Sequence, residues 1–240
     1  MNKFTRGVLA FTMAAAFSVS SLSFAAITIN SVSGNWMDVV GGNAVVYPVP
    51  NEVRWGETGE STNDKSGYRF DGDAPPLFNV LIDTPFTLGT FKHFNKPIPS
   101  GSAIQSAQLD TTINMNINGT AINGLNFAYD FLHTETPNMP GSCPAGSGSV
   151  CDDIVKALNN VAQSSTFLIG GDLYTIKVIG FEVNGQPFTD FLTLEDQTNS
   201  AKLKAIVTKY TPVPEPGTYL ILGSALGMCF FLKRPKRVEV

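Results

Sequence analysis

The chain has 240 residues and a formal net charge of −4, but six of its basic side chains, Lys3, Arg6, Lys233, Arg234, Lys236 and Arg237, stand at the two ends. Residues 27–212 hold 18 acidic against 10 basic groups, hence −8. A surface so acidic repels phosphate backbones, which removes nucleic acid from the expected partners.

From the N-terminus, two positive charges in Met1–Gly7 precede an uncharged apolar run from Val8 to Phe17 and a small, polar stretch ending in Ser23, Phe24, Ala25 and Ala26. This is the layout of a secretory signal peptide, with cleavage after Ala25 or Ala26. The run falls short of the roughly 20 apolar residues that span a bilayer. Residues 1–25 are therefore set aside as the signal, and residues 26–211 suffice for one domain with a sizeable core.

Most of that domain reads as strand. From Ala107 to Ile117 the odd positions are Ala, Leu, Thr, Ile, Met and Ile, while Gln, Asp, Thr, Asn and Asn fill the even ones. Alternation of this kind marks a strand with one buried face. A turn over Gly119 to Gly124 leads to a second alternating run, Leu125, Phe127, Tyr129 and Phe131. Phe167–Ile169 and Leu173–Phe181 flank Gly170-Gly171-Asp172, a hairpin signal, and Asn184-Gly185 marks another turn. Ala201, Leu203, Ala205 and Val207 alternate with polar residues in a last strand, and Asp152 to Ala162 is read as a short helix. The expected fold is all-β: an antiparallel β-sandwich of jelly-roll kind.

Cys143 and Cys151 flank a Gly/Ser/Pro-rich loop, and in an oxidising compartment such a pair is expected to form a disulfide. The third cysteine, Cys229, falls in the C-terminal segment 212–240. That segment opens with Val213, Pro214, Glu215 and Pro216, continues uncharged from Tyr219 to Leu232, and ends in Lys233, Arg234, Lys236 and Arg237. By charge alone it is a hydrophobic stop whose basic end stays cytoplasmic. The Val-Pro-Glu-Pro motif, the single apolar span and the basic end resemble the PEP-CTERM sorting signal. The resemblance implies a Gram-negative bacterium, transient insertion of a hydrophobic helix in the inner membrane, removal of the tail by an exosortase, and a final place at the cell surface or in extracellular matrix.

Further phrases, Ser33-Gly34-Asn35-Trp36, Arg54-Trp55-Gly56, Ser66-Gly67-Tyr68-Arg69-Phe70, Lys92-His93-Phe94-Asn95 and the run from Phe131 through His133 and Glu135 to Asn138, resemble the THxN family of PEP-CTERM proteins. His93 and Asn95 match the naming motif, with Lys92 where the family has Thr. The resemblance implies fold and address rather than mechanism.

His93 and His133 are the only histidines. His133 continues the apolar face of its strand, and the expectation is that both are structural, each hydrogen-bonded within or beside its own turn, without a metal. The alternative ligands for a transition metal are His93, His133 and Glu135. For calcium they are the loops at Asn63-Asp64 and at Asp71 and Asp73. No cofactor is expected, calcium being the alternative. Trp36, Trp55, Tyr68 and Phe70 could stack on sugar, but aromatic sets of this size more often form core. No nucleophile elbow, His-Glu-x-x-His pair, P-loop or dinucleotide fingerprint occurs, so no catalytic residue is assigned. The reading is a non-enzymatic, exosortase-sorted surface or matrix protein associated with exopolysaccharide. A carbohydrate- or calcium-binding module comes second and a hydrolase third.

Overall fold

The computed structural model describes residues 26–57, 59, 61–73, 77–137, 152–158 and 166–211. The signal segment 1–25, the sorting segment 212–240, Asn138, Cys143 and Cys151 lie outside the described residues.

In chain order the strands are β1 (Ile27–Gly41), β2 (Val46–Val49), β3 (Glu52–Trp55), β4 (Ser66–Gly72), β5 (Leu77–Val80), β6 (Phe86–Asn95) and β7 (Ile104–Ile117). There follow β8 (Thr120–Thr134), β9 (Asp153–Ala157), β10 (Phe167–Ile169), β11 (Asp172–Val183), β12 (Gln186–Phe188), β13 (Asp190–Thr193) and β14 (Gln197–Tyr210). Among the described residues a single 3-10 turn, Thr62–Asp64, interrupts them.

The strands form two antiparallel sheets packed as a sandwich. One has the order β13-β9-β8-β7-β1-β5; the other runs β10-β11-β14-β6-β4-β3-β2, with β12 added beside β11. The chain passes between the sheets repeatedly, at β1 to β2, β4 to β5, β5 to β6, β6 to β7, β9 to β10, β12 to β13 and β13 to β14, which gives the jelly-roll-like character. The alternation in the sequence is realised directly. On β7 every odd residue from Ala107 to Ile117 is buried, and on β14 so are Ala201, Leu203, Ala205 and Val207. These inward residues meet in an aromatic layer, where Phe91 of one sheet stacks on Phe131 of the other at 5.3 Å with Trp36 and Phe181 against their edges. Trp36, Trp55, Tyr68 and Phe70 are all core, at most 4 % exposed, which removes them as a sugar platform.

Two local expectations are corrected. The β7–β8 turn is the pair Asn118-Gly119, both at positive φ (52° and 84°), joining Ile117 directly to its partner Thr120. Two such residues match the twist of the flanking strands. Gly124 instead sits in β8 at φ 70°, beside the register shift opposite Ile113 and Met115. The helix read from Asp152 is β9. Within it Asp153 and Val155 face inward, and the strand is held between β8 and β13, with His133 opposite Val155 and Thr193 opposite Asp153. Five residues with edges on both sides gain more from ladder pairing than from one turn of isolated helix.

Candidate metal centre

The inward face of β6 carries Phe91, His93 and Asn95 at alternate positions, so the polar pair extends the aromatic row. Tyr68 on β4 is the cross-strand partner of His93. From the other sheet, β8 ends with His133 on the same inner face as Phe131, and the chain then places Glu135 and Thr136. β9 begins with Asp153, directly opposite Thr193 of β13, and Glu195 follows in the turn to β14. One end of the sandwich therefore gathers groups from five segments.

Three of these groups are sealed from solvent: His93 and Asp153 are 0 % exposed, and the His133 side chain is likewise 0 %. The Thr193 hydroxyl stands between two groups around His93, 2.7 Å from ring Nδ1 and 3.3 Å from the Asp153 carbonyl. A hydroxyl that donates to the carbonyl accepts from Nδ1–H and leaves Nε2 of a neutral ring as a bare lone pair, whereas one that donates to Nδ1 leaves the hydrogen on Nε2. The ring is neutral: burial, with the neighbouring His133 and Arg54 adding to it, holds its pKa well below the ordinary histidine range. Nε2 has no protein hydrogen-bond partner. Trp55 stacks near-parallel to the ring at 6.0 Å and holds it in place.

His133 is arranged in the same way. Its Nδ1 meets the Tyr68 hydroxyl at 2.7 Å, and a phenol that both donates and accepts is compatible with either ring tautomer. Its Nε2 lies 3.3 Å from Glu135 Oε2 and 4.0 Å from Asp153 Oδ2. Burial pushes its pKa down to about 4. Asp153 is half satisfied: Oδ1 accepts from the Thr136 backbone N–H at 2.9 Å, while Oδ2 has no protein donor. Glu135 Oε1 and both carboxylate oxygens of Glu195 also lack one. Burial, and for Asp153 and Glu195 the neighbouring acids, raise Glu135, Asp153 and Glu195 to about 7 each. The Asn95 amide lies against Glu195 and lowers it slightly, though its own hydrogen bond goes to the Thr193 carbonyl at 3.0 Å.

The result is two interlocking triads. The ligand atoms of His93, His133 and Asp153 all lie within 4.8 Å of one another, as do those of Glu135, Asp153 and Glu195. Donors bound at about 2.0 to 2.2 Å around one tetrahedral zinc ion stand roughly 3.4 Å apart, so modest closure completes the first set. Each ring uses Nδ1 in an outer hydrogen bond and turns Nε2 inward, the arrangement by which a protein fixes a ligating histidine. Glu135 is half-buried, its side chain 21 % exposed, and it lines a cleft of about 700 Å³ together with Ile98, Gln105 and Thr136.

The structure thus joins three of the sequence candidates, His93, His133 and Glu135, and separates the others. Asp71 is engaged by Arg69 and Lys92 at 2.8 and 2.9 Å on the other face of β4, and Asp73 follows that strand's end. Neither they nor Asn63 and Asp64 belong to either triad. The expectation that each histidine is held within or beside its own turn fails for His93 and holds for only one nitrogen of His133, whose Nε2 meets Glu135 two residues on at 3.3 Å. Tyr68 and Thr193 are 65 and 100 residues away from their ring partners, because inner-face residues meet across sheets rather than along the chain. Asp153, Glu195 and Thr193 were not legible as site residues. The available signal was polarity at inward positions: His93, Asn95, His133, Asp153 and Thr193 all occupy places where alternation calls for an apolar side chain. No protein-family model matches the chain, and no curated protein matches it.

Proposed function

We propose that this chain is an exported β-sandwich protein that binds a divalent transition metal, with His93 Nε2, His133 Nε2 and Asp153 Oδ2 as ligands. One observation carries the reading: a neutral, fully buried histidine whose Nε2 has no protein partner shares a cluster with a second buried histidine and a buried carboxylate whose Oδ2 has no donor. A buried acceptor without a donor costs about 1 to 3 kcal/mol, and a cation satisfies several acceptors at once. Two imidazoles and one carboxylate suit zinc or a related ion. The address rests on the terminal segments of the sequence: export, exosortase processing, and residence at the cell surface or in exopolysaccharide matrix.

The test is metal analysis of protein recovered from outside the cytoplasm and purified without added metal. At least one equivalent of transition metal is expected in the natural protein and none at this site in His93→Ala or His133→Ala. Equal metal content in all three would refute the assignment. A metal-dependent hydrolase is the second reading, favoured by the cleft that opens onto Glu135. Turnover of acylated polysaccharide that is lost with chelator would select it over a non-catalytic surface role.

A further inference from the structure

We infer that the centre is dinuclear, with a second divalent cation held by Glu135, Asp153 and Glu195 and with Asp153 bridging the two ions. This rests on the metal reading above and extends it to a site that the two histidines do not form.

Three carboxylates converge within 4.8 Å, and no Lys or Arg among the described residues pairs with any of them. Lys96, next to Asn95 in the chain, is bound to Asp196 at 2.9 Å. Asp153 is 0 % exposed, it is the residue shared by both triads, and its Oδ2 has no protein donor. Glu195 adds two further oxygens without protein donors, and Glu135 one.

Charge and geometry then argue together. One divalent ion at the two histidines draws on Asp153 and leaves Glu135 and Glu195 facing each other as a pair of like charges, which a second divalent ion neutralises. Asp153 Oδ1 accepts from the Thr136 N–H, and Oδ2, which has no protein donor, is the oxygen assigned to the bridge. Paired ions of this kind stand about 3.5 to 4 Å apart. The chemistry of the two sets differs as well. The first is nitrogen-rich and suits zinc; the second is all oxygen and suits a hard cation such as manganese, magnesium or calcium. Glu135, on the cleft side, leaves the second ion open to water or an external oxyanion.

The experiment uses the exported protein stripped with chelator, dialysed, and loaded with zinc and manganese, with bound metal counted by plasma mass spectrometry. Two equivalents are expected in the natural protein and one, zinc, in Glu195→Gln. In protein loaded with manganese alone, electron paramagnetic resonance should show an exchange-coupled signal at two equivalents. One equivalent in both proteins would overturn the second ion while leaving the first in place, and none in either would overturn both. Two equivalents retained in Glu195→Gln, or only isolated-manganese signals, would show that any second ion lies elsewhere. Far-UV circular dichroism and melting in chelator establish that Glu195→Gln is folded.

Discussion

Two buried polar clusters lie on opposite faces of the same sheet, and they are built on opposite terms. On the outward side of β3, Arg54 Nε pairs with Glu52 at 2.7 Å, one of its terminal nitrogens donates to the Lys65 carbonyl at 3.1 Å, and its guanidinium covers the Phe94 ring at 3.5 Å. Lys65 in turn donates to the Gly56 carbonyl. Here the charged groups answer one another. On the inward side, His93, His133, Glu135, Asp153 and Glu195 present mostly acceptors and no fixed cation. Burial is common to both clusters and so does not separate structural from functional polarity; completeness of the hydrogen bonding does.

The contrast is sharpened first by breaking the closed cluster. Arg54→Met leaves Glu52 with only Arg69 at 3.8 Å and strands the Lys65 carbonyl, and is expected to cost about 3 kcal/mol in chemical denaturation, since removing one partner of a buried pair costs about 3 to 5. A loss below about 1 kcal/mol would mean that the cluster is not structural. Next in size is metal itself. Chelator should destabilise the natural protein by about 2.7 kcal/mol relative to zinc at 100 times its Kd, and should leave His93→Ala unchanged between the two conditions.

The open cluster also fixes the sign of a pH dependence. Glu135, Asp153 and Glu195 have folded-state values near 7, above those of free carboxylates. Above pH 6.5 the unfolded chain has released these protons and the folded protein still holds some, so stability falls as pH rises through 7. Both histidines are depressed, and their opposing contribution is confined to the range below about 6.5. Melting in chelator should therefore drop between pH 6 and 8. Asp153→Asn should flatten that drop, because Oδ1 keeps its bond to Thr136 while the charge is gone. With zinc the trend should reverse, because the ligands must lose protons to bind. A parallel rise with and without metal would contradict the arrangement. The smallest effect belongs to Asp71→Asn on the outer face, where ion pairs to Arg69 and Lys92 are partly solvated. A change under about 1 kcal/mol and no change in metal content are expected, measured by denaturation and mass spectrometry.

What was legible in the sequence follows the range of the forces involved. Alternation on β7, β8 and β14 is written in neighbouring residues, because each strand buries one face, and the turns at Gly170-Gly171 and Asn184-Gly185 announce themselves by residues that tolerate positive φ. Asp153 carried no such mark. Its segment of five residues is too short for period alone to distinguish strand from helix, and only its pairing with β8 and β13 decides. The site is less local still. His93 and Asp153 are separated by 60 positions and belong to different sheets, so their proximity is a product of sandwich closure. Polar residues at inward positions were the trace left in the chain. They identify members of a buried cluster but not which of them meet.

Anomalous diffraction at the zinc absorption edge, from crystals of the exported domain grown with zinc, tests the central claim most directly. A peak about 2.0 to 2.2 Å from His93 Nε2, His133 Nε2 and Asp153 Oδ2 is expected. Water molecules hydrogen-bonded to those three atoms, with no anomalous peak among them at saturating zinc, would contradict it and return both histidines to a structural role.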